Sequence, residues 1–359
     1  MSGSSVDAHD GTPEQRLPTE AWTLRSPARS IAIIGAGSWG TALAIVLAPR
    51  FQTIRLWAYE SDLVERMSET RINDVFLPGF PLPANVEPTA ELGSALDGAE
   101  IVLGAMPSRH ARNLYRAMLP HLRPEMQFVS ATKGLEAGTL LRMSEVARQV
   151  AGQKFTPRIA ALSGPTFARE VARGEPTAVV ISSEDQGLAK CIQHDFSGPT
   201  FRLYTNDDPA GVEIGAALKN IIAIGAGICQ GLGLGNNSLA ALITRGLAEI
   251  TRLAVAMGGQ PRTLSGLAGL GDLVLTCTGE LSRNRNVGIE LAKGRKLPEI
   301  VASMVMIAEG VESISAAVEL AHKYRVDMPI TQQMDSILRG GRAPREAIRE
   351  LMERTLKNE

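Results

Sequence analysis

Apolar and polar positions along this chain change their rhythm once. Up to residue 210, short apolar runs at 31–34, 54–57, 101–105, 128–130, 159–163 and 178–181 alternate with helical spacing at 41–47, 110–119, 140–150 and 187–194. Runs of that length interleaved with helices predict a mostly parallel, doubly wound sheet. From Gly211 the β-branched runs thin out, and apolar residues recur at helical spacing over 239–257, 287–293, 312–322, 331–338 and 344–352. The expected fold class is α/β, with an N-terminal doubly wound sheet over residues 30–210 and an all-α C-terminal domain over residues 211–359.

Residues 211–231, GVEIGAALKNIIAIGAGICQG, are apolar almost all the way round, the pattern of a helix buried on every side. One charge interrupts the run: between Glu213 and Arg245 the sole lysine or acid is Lys219, followed by Asn220. A lone ammonium there either snorkels to the helix surface or sits buried with a partner and a lowered pKa.

The first apolar run ends in Gly35-Ala-Gly37-Ser38-Trp39-Gly40 and a helix follows. In a strand–G-x-G-x-x-G–helix unit the first glycine allows the tight turn, the second admits a pyrophosphate and the third lets helix and strand pack closely. The helix N-terminus then presents free N–H groups to the phosphates. This is the Rossmann-type arrangement. The second run ends at Tyr59-Glu60, about 20 residues on, where an acid can accept the ribose hydroxyls. The alternative is an ordinary α/β turn with Glu60 in solvent. Ligands of such sheets lie beyond the carboxyl ends of the strands. Met106-Pro107-Ser108, Ala131-Thr132-Lys133-Gly134 and Ser163-Gly164-Pro165-Thr166-Phe167-Ala168 stand there and suit an anionic ligand, although Lys133 could equally be a solvated loop lysine. In the second half, residues 266–272 read as a glycine-rich loop presenting Asp272. Beyond it come Thr276 and the cluster Ser282-Arg283-Asn284-Arg285-Asn286. Arginine forks, with Asn and Ser donors, grip phosphate or carboxylate oxygens; a solvated polar loop is the other reading.

Composition narrows the classes. The chain has 359 residues, 44% hydrophobic and 21% charged, with a formal net charge of -1, so no global field attracts nucleic acid or a membrane surface. Three dispersed cysteines, Cys191, Cys229 and Cys277, lack CxxC spacing. That argues against disulfides and structural zinc and fits a reducing compartment; no metal is expected. Residues 1–29, rich in Ser, Pro, Thr and charge, lack the apolar core of a signal peptide and read as a disordered tail. Lys219 and the glycines of 211–231 argue against a membrane span.

Seven segments, in order, resemble NAD(P)-dependent glycerol-3-phosphate dehydrogenase of the bacterial type: GAGSWGTALA, SATKGLE, SGPTFAREV, KNIIAIGAGICQGLGLG, GLAGLGDLVLTCT, SRNRNVG and AEGVES. The likeness runs from about residue 31 to the C-terminal region and leaves out the tail. It implies reversible reduction of dihydroxyacetone phosphate to sn-glycerol 3-phosphate with NADH or NADPH, in the cytoplasm, for glycerophospholipid synthesis, by a homodimer. It implies that Lys219 is the proton donor and acceptor, that Lys133 serves substrate and cofactor, and that Gly164, Thr166, Asp272, Ser282, Arg283 and Asn284 contact substrate. Arg283 also reaches the cofactor, as do Ser38, Trp39, Tyr59, Ala168, Ile307 and Glu309. Tyr59 departs from the basic residue or histidine of many relatives, which leaves the choice between NAD and NADP open.

The expected chemistry is hydride transfer to the C2 carbonyl with Lys219 donating to the oxygen. Asn220 and Asp272 would orient the amine and the substrate hydroxyls, and Arg283, Asn284 and Thr276 would hold the phosphate. Asp272 should stand off from Lys219, because a close carboxylate keeps an amine charged. Glu60 favours NAD by repelling a 2′-phosphate. Two rivals stay open here: a β-hydroxyacid dehydrogenase of similar architecture, and a nucleotide-sensing module without catalysis.

Overall fold

The structure, a computed structural model, describes residues 29–304, 306 and 308–355. Except for Arg29, the expected disordered tail lies outside the described residues, as does Ile307. Arg29 is anchored, its guanidinium pairing with Glu100 at 3.0 Å and with Asp195.

Eight strands come first: β1 (Ser30–Ile34), β2 (Thr53–Trp57), β3 (Val86–Thr89), β4 (Ile101–Gly104), β5 (Gln127–Ser130), β6 (Arg158–Ser163), β7 (Thr177–Ser182) and β8 (Phe201–Asn206). The helices among them are α1 (Ser38–Leu47), α2 (Ser61–Thr70), α3 (Leu92–Leu96), α4 (Ser108–Met118), α5 (Met143–Ala151), α6 (Ala168–Arg173) and α7 (Gln186–Phe196). The helical part follows: α8 (Pro209–Gly231), α9 (Asn236–Ala256), α10 (Pro261–Leu264), α11 (Asp272–Thr278), α12 (Arg283–Ala292), α13 (Leu297–Ala302), α14 (Glu309–Tyr324), α15 (Pro329–Leu338) and α16 (Pro344–Met352).

The strands form one sheet in the order β3-β2-β1-β4-β5-β6-β7-β8, parallel throughout except between β6 and β7. The expected Rossmann-type sheet with an all-α C-terminal domain is therefore present. The order reverses between β1 and β4, and a ligand crevice opens at such a switch point. Two strands go unread in the sequence, β3 and β8, and both are edges. β3 is Val-Glu-Pro-Thr, and proline is tolerated only where a ladder N–H is dispensable. β8 buries only alternate residues, so its apolar content is diluted.

Residues 211–229 of α8 are all buried. Val212, Ile214, Leu218, Ile221, Ile222, Ile224 and Ile228 are fully covered; together they contribute on the order of 10–20 kcal/mol of transfer free energy. That margin exceeds the several kcal/mol needed to desolvate one paired ion, which is why the helix can carry Lys219. Asp208 caps the helix, accepting from Gly211 N at 2.8 Å, while its other oxygen accepts from Gln260 N at 2.7 Å. The glycines of α8 serve α12. A Cβ at Gly227 would stand 1.9 Å from the Arg285 carbonyl oxygen, and one on the facing Gly288 2.0 Å from that of Ile224. The backbones touch, and any larger residue would separate the helices. Among the described residues α8 is the one helix long and apolar enough to cross a bilayer, and its apolar window is wholly inside the protein.

The helices begin about one turn before several of the periodic segments; α14, for instance, begins at Glu309 rather than 312. Residues 266–272 are not an open loop. A π-helical turn over Leu267–Gly271 leads into α11, and Asp272 opens that helix. The cluster 282–286 is likewise the start of α12, with the Ser282 hydroxyl oxygen accepting from Arg285 N at 3.3 Å.

Candidate active site

The glycine turn has a different physical constraint at each glycine. Gly35 has φ +118°, and a Cβ there would lie 2.8 Å from the Ala105 carbonyl oxygen. A Cβ at Gly40 would lie 1.9 Å from the Gly35 carbonyl oxygen. At Gly37 nothing lies within 4 Å, so the turn opens on that side. Gly37 precedes α1 without a side-chain cap, which leaves first-turn N–H groups, including those at Ser38 and Trp39, for an anion. The Trp39 indole Nε1 is buried with no partner among the described residues. Trp39 and Ala168 pack on the same apolar cluster, bringing α1 and the start of α6 together. Open space at Gly37 and an uncapped helix N-terminus at the sheet's switch point fit a dinucleotide pyrophosphate. Beyond β2, Tyr59 is 79% exposed, and Glu60 precedes α2 with its side chain in solvent.

In the helical part and at two strand ends, three segments meet at one carboxylate. Asp272, fully buried, lies with Oδ1 2.8 Å from Lys219 Nζ and Oδ2 2.8 Å from Lys133 Nζ. Lys219 also donates to Thr276 Oγ1 at 2.6 Å, and that hydroxyl donates to the Asp272 backbone carbonyl at 2.6 Å. Lys133 donates to the Gly164 carbonyl at 3.2 Å and to Thr166 Oγ1 at 3.5 Å. Lys219 is only 5% exposed, so the amine does not snorkel to bulk water. Burial lowers its pKa to about 8, helped by the like charge of Lys133 and opposed by Asp272.

The expectation that Asp272 stands off is corrected: the contact is direct. Desolvation outweighs that attraction, and the same carboxylate is shared with a second ammonium. Thr276 is also placed differently from expectation, its hydroxyl engaged with Lys219 and the Asp272 carbonyl rather than left for a phosphate.

A second group lies beside the first. Asn220 Nδ2 donates to Glu309 Oε2 at 3.3 Å. Asn284 Oδ1 accepts from Gly310 N at 3.0 Å, which leaves the Asn284 amide nitrogen as a donor. Burial raises the pKa of Glu309, while Arg283, Lys133 and Lys219 act to lower it, so all three cations lie within electrostatic reach of one acid. Lys133, Gly164, Thr166, Lys219, Asn220, Asp272, Thr276, Arg283, Asn284 and Glu309 thus converge, and Ser282 adjoins them as the α12 cap. Three ion pairs around the site went unread, Arg109–Glu312 at 2.7 Å, Arg112–Glu136 at 2.7 Å and Arg142–Glu213 at 2.7 Å. No local spacing marks them, because the partners of each come from separate segments.

Comparison with known proteins agrees across the chain. The family described as NAD-dependent glycerol-3-phosphate dehydrogenase matches with its N-terminal part at residues 30–189 and its C-terminal part at 208–349. A glycerol-3-phosphate dehydrogenase [NAD(P)+] of Koribacter versatilis is 61% identical over 326 residues, 90% of this chain and 97% of that protein. One from Syntrophotalea carbinolica is 50% identical over 330 residues, covering 92% and 99%. The crystal structure of glycerol-3-phosphate dehydrogenase from Coxiella burnetii superposes with a TM-score of 0.87 at 42% identity, covering 91% of this chain and 99% of that one. By these matches, the chain belongs to the NAD-dependent glycerol-3-phosphate dehydrogenase family and reduces dihydroxyacetone phosphate to sn-glycerol 3-phosphate with NAD(P)H.

Proposed function

We propose that Lys219 gives the proton to the C2 oxygen of dihydroxyacetone phosphate during reduction and takes it back during oxidation of glycerol 3-phosphate. One observation carries this reading: an almost fully buried amine with a pKa near 8, held by Thr276 and Asp272 at the crevice. A general acid works best with its pKa near working pH. Gly35, Gly37, Ser38, Trp39 and Gly40 would hold the dinucleotide at the glycine turn, with Tyr59, Glu60, Ala168, Ile307 and Glu309 as further contacts, and the dinucleotide would supply the hydride for C2. On the protein side, Lys219 Nζ loses its proton as the carbonyl oxygen gains charge, and the neutral amine is reprotonated from solvent. Arg283, Asn284 and Ser282 grip the phosphate, which fixes the carbonyl before reaction. Lys133, Gly164, Thr166, Asn220 and Asp272 place the remaining oxygens, and Thr276 aims the amine.

The sign of the pH dependence follows. Reduction needs the ammonium, so its kcat falls as pH rises through about 8. Oxidation needs the free amine, so its kcat rises across the same interval. Initial rates in both directions from pH 6 to 10 check this; parallel profiles, or a break only where free lysine titrates, would remove Lys219 as the acid.

Glu60 is proposed to accept the adenosine ribose hydroxyls and repel a 2′-phosphate. Glu60→Ala is then expected to improve kcat/KM with NADPH relative to NADH. No improvement would discharge Glu60 from cofactor choice. We further propose, from the family resemblance, a cytoplasmic homodimer that supplies glycerophospholipid synthesis; sedimentation of the purified chain as a monomer would refute the dimer.

A further inference from the structure

Lys133 and Lys219 reach Asp272 from two different carriers, and their spacing depends on how those carriers are joined. Lys133 sits on the segment between β5 and α5. That segment closes on itself through a bridge between Leu135 and Arg142, with Glu136 N donating to the Leu141 carbonyl at 2.9 Å. Arg112 of α4 clamps it through two 2.7 Å bonds to Glu136. Lys219 sits on α8. At the base of the Lys133 segment, Arg142 turns towards α8 and donates from Nη1 to Glu213 Oε2 at 2.7 Å. Ser144, in the first turn of α5, adds two bonds to the same carboxylate, from its backbone N at 2.8 Å and from Oγ at 2.5 Å. Glu213 is 6% exposed, and among the described residues its hydrogen bonds go to Arg142 and Ser144 rather than to the site itself. It precedes Lys219 by six residues on one rigid helix, about 9 Å along the axis.

A buried ion pair is a poor way to gain stability, since a well-packed apolar pair does as well or better. What it gives is direction. One guanidinium arm on Glu213, with the other held by Glu145 at 3.0 Å, and the two Ser144 donors admit one register of α8 against α5, whereas the apolar contact beside it, of Val212 with Ala161 and Val180, has no such preference.

We propose that Arg142 and Glu213 are positioning residues for the dehydrogenase reaction: their joint sets the helix of Lys219 against the segment of Lys133, and so fixes how the two ammoniums divide the Asp272 carboxylate. The inference rests on the reading of Lys219 as the acid, and Lys219→Met tests that reading by itself. The test here is Glu213→Gln, which keeps the shape and one acceptor for Ser144 but removes the charge, alongside Arg142→Lys, which keeps the charge but loses the planar group that spans Glu213 and Glu145. With the full-length enzyme, kcat, KM for dihydroxyacetone phosphate, the pH profile and NADH affinity are measured. The expected result for Glu213→Gln is a fall in kcat of about tenfold to a hundredfold, the scale of a misplacement below 1 Å. The pH break moves from its wild-type position, and NADH affinity is unchanged. Arg142→Lys gives a smaller change of the same kind. Wild-type kcat and pH break in a folded Glu213→Gln enzyme would overturn the proposal. So would a parallel loss of activity, NADH affinity and thermal stability, which marks a merely structural joint. Should Glu213→Gln fail to fold, Ser144→Ala removes a single bond to Glu213, and an unmoved pH break in that variant is equally fatal.

Discussion

Lys219→Met should abolish most turnover of dihydroxyacetone phosphate while NADH affinity stays near wild type. Methionine fills similar volume and suits the apolar walls of α8, so the helix keeps its packing. Asp272 keeps Lys133 as a 2.8 Å partner and is not left alone in the interior. What disappears is the proposed proton donor. Positioned general acids contribute roughly 10²–10⁴-fold, and loss of one preorganised donor at a developing oxyanion costs about 10²–10³-fold. These overlap because one group does both, so the fall should reach about three orders of magnitude or more. Stopped-flow oxidation of NADH, with cofactor affinity from fluorescence quenching, measures both quantities. Near-normal turnover in a folded variant would leave the buried amine without a catalytic part.

The second large effect is expected at Asp272→Asn. The carboxylate is fully buried and stands between two ammoniums at 2.8 Å each. Asparagine preserves shape but leaves two like charges without their shared 2.8 Å carboxylate, with Glu309 the remaining acid in reach. Lys219 then loses the main influence that opposes desolvation, so its pKa falls further below 8. The break in the reduction profile should move to lower pH, and at neutral pH much of the acid is already spent as free amine. Removing one partner of a buried pair typically costs about 3–5 kcal/mol, and deprotonation of Lys219 relieves part of this. The folded state then holds fewer protons than the unfolded one below pH 10.5, the ordinary lysine value, so stability should rise with pH across that window and be lowest on its acid side. Reduction profiles and urea denaturation at two pH values test the two halves. A break that stays at the wild-type pH would show that Asp272 does not set the charge of Lys219.

Legibility in the sequence tracked how local each feature's cause was. The glycine turn is a local device: strand, three glycines and helix lie within one short segment, and the steric demand at Gly40 comes from the Gly35 carbonyl, although that at Gly35 comes from Ala105 beyond β4. The interior strands were legible because each carries a run of buried apolar residues, with polar ones mostly at its ends. The edges β3 and β8 were not, since a proline in one and alternating exposure in the other erase the apolar run. Residues 266–272 read as a loop in the sequence because glycine usually breaks helices. Here a Cβ at Gly269 would meet the Leu264 backbone at 2.1 Å, so close packing rather than flexibility explains that glycine.

The sequence by itself determined that the chain builds a doubly wound sheet, that a dinucleotide turn opens it, and that one lysine lies in a helix too apolar for the surface. Each follows from periodicity or from a residue's own steric and solvation needs, which neighbours in the chain suffice to express. Only the tertiary structure decided that Lys133 and Lys219 share Asp272 edge to edge, the first of these pairs being 139 residues apart. The same holds for Thr276 holding the amine and for Arg142 and Glu213 joining the two carriers. Charge sharing depends on distances of a few ångströms inside a medium that screens poorly, and such distances exist only once the helices have packed.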